Sequence, residues 1–335
     1  MQLLVCLQMA QESGGRSERE GIVKSNTKLL NRREFNGLCA ALGSFVTSSG
    51  ASAIDAATGV PSNGAGRTVK FRDGTVVPAL GQGSAGLANG RHTQAEEEEA
   101  VRTGLSLGMT LIDTAESYGS EELIGHVMAG QRDRVFLVSK VSAGHVAGNG
   151  IARACEASLT RLGTDYLDLY LLHWPNGITD FSGVVTGFEN LRSAGKIRAW
   201  GVSNFNVSHL EKLFHVPQGD RCATNQVSYN IGDRGIEHHL LPWCEQHGMP
   251  VMAYSPLGGP GTNLLRDPTL ARIAAAHGCS AAAVALAWTI GNGNVIAIPE
   301  SGSVAHVTEN AVALSLTLTP QELQTLDAAH PLSGR

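Results

Sequence analysis

The sequence predicts an α/β fold, a (β/α)8 TIM barrel preceded by a β-hairpin. Three observations carry that expectation. From about Thr68 onward, short apolar runs alternate with helical stretches. The runs are apolar without strict alternation, as parallel strands covered on both faces are. Eight of them fit into the chain, over the roughly 250 residues such a barrel takes.

The hairpin is read from "TVKFRDGTVVPALGQG", where Asp73-Gly74 separates two β-prone runs. The expected barrel strands are Ala79–Gly83, Thr110–Asp113, Val135–Lys140, Leu167–His173, Ile197–Val202, Ala223–Val227, Pro250–Tyr254 and Val295–Ile298. Between them, "TQAEEEEAVRTGLSLG" opens a helix with Thr93 as N-cap and Glu96 three residues on, a capping box with acidic residues in the first turn. "GIARACEASLTRLG" sets Ala152, Cys155, Leu159 and Leu162 along one helical face, and "FSGVVTGFENLRSAGK", "NVSHLEKLFH" and "CSAAAVALAWTIG" continue the alternation. The alternative is a doubly wound sheet, but no GxGxxG opens the first βα unit.

Composition narrows the function. With 335 residues and 42% hydrophobic content the chain can bury a large core. A net charge of -5 without a basic run argues against nucleic acid as a partner. No apolar stretch reaches the roughly 18 residues of a membrane span.

Residues 1–53 differ from the rest. They lack periodicity, and Arg32-Arg33 precedes a weakly apolar Gly/Ala/Ser segment ending in Ala51-Ser52-Ala53, small residues at a signal-peptidase spacing. This reads as a twin-arginine export signal or a disordered leader, followed by a linker at 54–67 and the barrel at 68–335. The expected location is the periplasm, with the cytoplasm as the alternative. Cleavage after Ala53 would leave Cys155, Cys222, Cys244 and Cys279, spaced too widely for a zinc site or a disulfide framework. Free, mostly buried thiols and no metal are expected.

Barrel active sites lie at the C-terminal ends of the strands. Asp113, Lys140 and His173 each end an expected strand, and Tyr118 lies in the loop after one, in "LIDTAESYGSEELIG". Singly, such an Asp caps a helix, such a Lys is solvated and such a His packs in a core. Together they suit proton donation to a carbonyl oxygen. A phenol with a pKa of about 10 is a weak acid, and a nearby ammonium lowers that value. Asp113 would hold Lys140 charged, and His173 would orient the substrate oxygen. The group lacks an electron source, so hydride has to come from a cofactor. Glu97, Glu98 and Glu99 read as a solvated helix face. Glu116 beside Asp113 raises a glycosidase reading, which the lysine of the group disfavours.

The motifs "LIDTAESYGSEELIG", "FLVSK", "YLDLYLLHWP", "GVSNF", "NQVSYN", "AYSPLG" and "IPESGSVAHVTEN" occur in an order that resembles the aldo-keto reductase superfamily, from about Val69 to Ala329. The resemblance implies NAD(P)H extended across the strand ends and reduction of aldehydes or ketones to alcohols. Asp113, Tyr118, Lys140 and His173 would be the catalytic tetrad, with Tyr118 the proton donor. It also implies that Ser203, Asn204 and Gln226 hold the nicotinamide carboxamide and that Tyr254 stacks on the ring. Ser255, Leu257 and Gly258 would line the pyrophosphate, Ser301, Glu309 and Asn310 the adenosine, and Gly83 and Ser84 the nicotinamide ribose. Trp174 would border the substrate pocket.

A second reading within the superfamily is a nucleotide-binding redox sensor or scaffold subunit with slow turnover. A monomer acting on a small carbonyl is expected. The short "WPNGITDFSG" and "PLGGPGTNLLRDP" loops and the short tail suggest an open, permissive pocket. In the superfamily pattern, Lys follows Ile-Pro and Arg lies six residues on, both holding the 2′-phosphate of NADP. Here those positions are Glu300 and His306. A carboxylate suits a free ribose 2′-hydroxyl, so NADH use is expected, although Ser301, Ser303 and Thr308 could still donate to the phosphate of NADPH.

Overall fold

The computed structural model describes residues 66–259 and 261–332. The expected leader, residues 1–53, and the expected linker up to residue 65 lie outside the described residues. Gly66 and Arg67 are already part of the folded unit. The Arg67 side chain donates to Ala287 O and Leu316 O at 3.2 and 3.0 Å.

The chain opens with β1 (Thr68–Lys70) and β2 (Val76–Pro78), an antiparallel pair joined through Asp73-Gly74. Gly74 has φ of +93°, the left-handed region such a turn needs. Asp73 accepts the Thr75 N–H at 2.9 Å. The hairpin buries Val69, Phe71 and Val77. The Phe71 ring stacks on Phe136, the first residue of a barrel strand, so the hairpin covers the N-terminal end of the barrel.

Eight parallel strands follow: β3 (Gln82–Gly83), β4 (Leu111–Asp113), β5 (Phe136–Val141), β6 (Leu167–Leu172), β7 (Ile197–Ser203), β8 (Asn225–Ser228), β9 (Val251–Tyr254) and β10 (Val295–Ala297). Neighbours in sequence are neighbours in the sheet. Parallel bridges Leu80↔Ala297 and Gly83↔Glu300 join the first barrel strand to the last, giving the closed (β/α)8 order. The ladder between β3 and β4 is shorter than the expected Ala79–Gly83 run. A Cβ at Gly81 would fall 2.7 Å from Leu111 Cδ2, so glycine permits the close approach there.

The helices are α1 (Gln94–Ser106), α2 (Glu121–Met128), α3 (Gly150–Leu162), α4 (Ser182–Ser193), α5 (Val207–Phe214), α6 (Leu240–Gln246), α7 (Pro268–His277), α8 (Ala281–Thr289), α9 (Val304–Ala311) and α10 (Pro320–Ala329). Thr93 and Glu96 form the expected capping box on α1. Thr319 and Glu322 form another on α10. In α3 the buried face runs through Ile151, Ala154, Cys155, Ser158, Leu159 and Leu162. Ala152, expected on that face, is exposed, because the 3.6-residue period carries Ile151 rather than its neighbour onto the line of Cys155, Leu159 and Leu162.

The period-2 alternation of the strands sorts side chains into two cores. Ile112, Leu137, Val141, Tyr170, Leu172 and Ala253 face outward and pack beneath helices. Leu111, Val138, Leu169, Leu171 and Met252 belong to a second cluster that fills the barrel interior and extends under α7 and α8. Asp113 shares the parity of Leu111, Lys140 that of Val138, and His173 that of Leu169 and Leu171. The alternation that packs the barrel therefore also turns these polar residues inward at its C-terminal end.

Candidate active site

Lys140 is fully buried, at 0% exposure, and Asp113 is nearly so at 2%. The Lys140 ammonium donates to Asp113 Oδ2 at 2.6 Å, to Thr114 O at 2.9 Å and to Tyr118 Oη at 3.3 Å. Gln226 Nε2 donates to the other Asp113 oxygen at 2.7 Å. His173 Nε2 lies 3.4 Å from Tyr118 Oη, with its ring edge-on to the phenol. The expected four residues thus meet around one hydroxyl, held from beneath by a buried ion pair.

Burial and charge oppose one another in this group. Burial disfavours the Lys140 ammonium, but the Asp113 charge and the hydrogen bonds to Asp113 and Tyr118 raise its pKa overall, so it stays charged. Burial pushes Asp113 upward against the pull of Lys140 and Gln226. Burial also raises Tyr118, and the nearby ammonium only partly offsets this. Lysine acts on the phenol in the expected, lowering direction, but desolvation of the phenolate outweighs the ammonium, and the Asp113 charge adds to the rise. Burial, helped by the Lys140 charge, pushes His173 down to about 4, so the imidazole is neutral near pH 7.

Beside the tetrad, the ends of β7, β8 and β9 form a hydrogen-bonded shelf. Ser203 Oγ donates to Gln226 O at 2.9 Å. Asn204 Nδ2 donates to His173 O and Ser203 Oγ, each at 3.0 Å, and Tyr254 Oη donates to Asn204 Oδ1 at 2.9 Å. Asn204 and Ser255 have positive φ, +64° and +49°, strained positions that turn the chain at two strand ends. Asn230 Nδ2 holds Ser255 O at 3.0 Å. Leu257 is half-buried. A Cβ at Gly258 would fall 2.2 Å from Thr262 Oγ1, so the backbone folds tightly there. Ser84 Oγ donates to Asp113 O at 2.9 Å and lies 2.9 Å from Ser120 Oγ. A Cβ at Gly83 would meet Ile298 O at 2.9 Å. Trp174 is 43% exposed and lies roughly parallel to the His173 ring at the rim.

Ser301, His306, Glu309 and Asn310 lie in the loop after β10 and on α9. Asn310 is buried, while His306 and Glu309 are exposed. Among the described residues, none of the four makes a direct hydrogen bond to the tetrad. Ser301 Oγ accepts the Ser303 N–H at 3.1 Å. Glu300 is not a free carboxylate, since Arg91 from the loop after β3 forms an ion pair with it.

Sequence reasoning missed three features. Gln226 braces Asp113, a contact across the barrel that no local spacing signals. Arg91 reaches Glu300 from 209 residues away. Glu97, expected to be solvated, is 1% exposed and accepts the Ala88 N–H at 2.8 Å, holding Ala88 at φ +58°. The signal for Glu97 was present, because it precedes Val101 and Gly104 by four and seven residues on the buried face of α1. Cys155, Cys222 and Cys244 are buried free thiols, and Cys279 is a half-buried one.

The shelf suits a nicotinamide dinucleotide. Amide and hydroxyl groups converge at the ends of β7 and β8, and a tyrosine and a tight glycine turn follow β9. A closed (β/α)8 barrel with a Tyr-Lys-Asp-His cluster at its mouth defines a carbonyl-reducing oxidoreductase. Comparison with known proteins agrees. Residues 79–331 match the aldo/keto reductase family. The chain is 47% identical over 271 residues to methylglyoxal reductase YeaE of Escherichia coli K12, covering 79% of this chain and 95% of that protein. It is 35% identical over 264 residues to glyoxal reductase of Bacillus subtilis 168, covering 78% of this chain and 92% of the relative. A crystal structure of aldo/keto reductase from Klebsiella pneumoniae in complex with NADP and acetate aligns with a TM-score of 0.77 at 44% identity, covering 81% of this chain and 97% of that one. The chain belongs to the aldo/keto reductase family, and it is an NAD(P)H-dependent carbonyl reductase.

Proposed function

We propose that the chain reduces small aldehydes, with α-oxoaldehydes such as methylglyoxal as preferred substrates, and that Tyr118 is the proton donor. The observation that carries this reading is the convergence of Lys140 Nζ and His173 Nε2 on Tyr118 Oη, at 3.3 and 3.4 Å. The similarity to a methylglyoxal reductase of E. coli and a glyoxal reductase of B. subtilis supports the substrate class, as do the short loops read from the sequence.

When bound, the reduced nicotinamide supplies hydride to the carbonyl carbon. The residues of the chain manage the oxygen. His173, neutral because burial pushes it to about 4, offers a ring N–H to that oxygen and aligns it. Tyr118 is raised by burial, so its proton is in place at neutral pH and passes to the oxygen as alkoxide character develops. The Lys140 ammonium stabilises the phenolate left behind, and Asp113, itself braced by Gln226, holds that ammonium in place. Ser203, Asn204 and Gln226 would hold the carboxamide, Tyr254 the ring face, Ser255, Leu257 and Gly258 the pyrophosphate, and Gly83 and Ser84 the ribose.

The same proposal covers cofactor choice. Glu300 and His306 stand where the superfamily pattern has cations, so NADH should serve comparably to or better than NADPH. Loss of one charged hydrogen bond, ~1.5–3 kcal/mol, weakens NADPH binding by about tens-fold. We further propose that Arg32-Arg33 directs export to the periplasm.

Steady-state kcat/KM across methylglyoxal, glyoxal, simple aldehydes, sugars and ketones, with each cofactor, tests both parts. Methylglyoxal should rank among the best substrates. A ranking led by sugars or bulky ketones would overturn the substrate assignment. A preference for NADPH of about tenfold or more, or a Glu300→Lys variant with no shift toward NADPH, would overturn the cofactor assignment.

A further inference from the structure

Tyr118 stands between two carboxylates of its own segment, Glu116 before it and Glu121 after it. Both are largely out of water, with the Glu116 side chain 9% exposed and Glu121 1%. Among the described residues, neither accepts a hydrogen bond from Lys140 or Tyr118. Each is bonded instead to the chain beside Lys140. Ser139 Oγ donates to Glu121 Oε1 at 2.7 Å, and the Ser142 N–H donates to Glu116 Oε1 at 2.6 Å.

The Glu116 contact has a definite place in the backbone pattern. Beyond Asp113 the pairing with β5 continues, with the Thr114 N–H on Val138 O at 2.9 Å and the Glu116 N–H on Lys140 O at 3.2 Å. The next rung of a parallel ladder would run from the Ser142 N–H to the Glu116 carbonyl. The Glu116 carboxylate takes that N–H, so the side chain stands in for its own main chain. The backbone is released from the sheet at that point and turns. The Tyr118 N–H closes on Ala115 O at 3.1 Å, and Gly119 follows at φ +78°. Glu121 then refastens the chain to β5 as α2 begins. Arg161 of α3 holds its other oxygen, through Nε at 2.7 Å and Nη2 at 2.6 Å. A buried carboxylate in an ion pair is a weak source of net stability beside apolar packing, so stability alone does not account for the two contacts. What they fix is a distance. Tyr118 Oη lies 3.3 Å from Lys140 Nζ, and moving a reacting group by about 1 Å can cost about 10²-fold in rate.

We infer that Glu116 and Glu121 are positioning residues for the proton donor. They pin both ends of the turn that carries Tyr118 to the strand that carries Lys140, and they act through Tyr118. The inference rests on the reading that Tyr118 is the donor.

Steady-state kinetics of Glu116→Ala, Glu116→Gln and Ser139→Ala test it, with the best carbonyl substrate of the panel. Glu116→Ala should lower kcat by about tenfold or more, with KM and cofactor Kd changed by less than about threefold. Glu116→Gln keeps an acceptor for the Ser142 N–H and should recover kcat to within about threefold of wild type. Ser139→Ala leaves the Glu121–Arg161 pair intact and should lower kcat by about threefold or more. Thermal unfolding and cofactor titration report that each variant folds. In a Tyr118→Phe background, followed by single turnover, Glu116→Ala should cost less than about a further twofold. Unchanged kcat in Glu116→Ala and Ser139→Ala beside an inactive Tyr118→Phe would overturn this inference and leave the donor assignment standing. So would a glutamine variant as slow as the alanine one, or an equal loss of kcat with and without the Tyr118 hydroxyl. An active Tyr118→Phe would overturn the donor assignment, and this inference with it.

Discussion

Replacing Lys140 with Met tests the buried ion pair on both stability and rate. The ammonium makes three hydrogen bonds, to Asp113, Thr114 O and Tyr118. Methionine fills much of the space and makes none of them. Asp113 is left almost fully buried with only Gln226 as a partner. Stranding one member of a buried pair costs about 3–5 kcal/mol, and the orphaned Thr114 carbonyl adds ~1–3 kcal/mol where no water reaches it. A loss of about 3–8 kcal/mol is therefore expected, the upper end where the carbonyl stays dry. Asp113→Asn in the same background removes the stranded charge, so the double variant should be more stable than Lys140→Met alone.

The pH dependence has a definite sign. Burial already raises Asp113 in the native protein, and removing Lys140 takes away the main opposing influence. A carboxyl whose folded pKa lies above its unfolded value favours folding below the ordinary carboxylate range, and that contribution is lost as pH rises through the folded value. Lys140→Met should therefore gain stability relative to wild type as pH falls from neutral toward about 4. Urea unfolding of wild type, both single variants and the double variant across that range is the assay. Additive effects in the cycle, or a pH-independent difference from wild type, would refute the reasoning. Activity separates the two roles, because the double variant should recover stability without recovering kcat, Tyr118 still lacking its ammonium.

Tyr118→Phe should lower kcat by at least ~10²-fold with cofactor Kd nearly unchanged. More than about a tenth of wild-type kcat would remove Tyr118 as the acid. Because His173 is held near 4, the pH profile of kcat/KM should show no inflection at the usual histidine value of about 6.5. An inflection there that disappears in His173→Gln would contradict the neutral-imidazole role. Replacing Arg32 and Arg33 with lysine should block export in the native host, as followed by fractionation. Unchanged export, or a wholly cytoplasmic wild type, would count against the signal.

Local pattern was enough for the barrel. Short apolar runs ending in Asp113, Lys140 and His173 are legible because strand parity and helical period are properties of neighbouring residues, and buried strands tolerate little departure from them. The same parity made the convergence of the tetrad readable, with Tyr118 in the loop beside it. Chain folding alone decided what those residues become. Asp113 and Gln226 are 113 positions apart in the chain and share a hydrogen bond. Glu300 acquires Arg91 through barrel closure. Tyr118 has its pKa raised rather than lowered, since burial outweighs its ammonium. Pairings across the barrel and the degree of desolvation depend on which distant segments pack together. Sequence spacing carries which residue types are available, while the dielectric and the partners each one meets exist only once the barrel has closed around them.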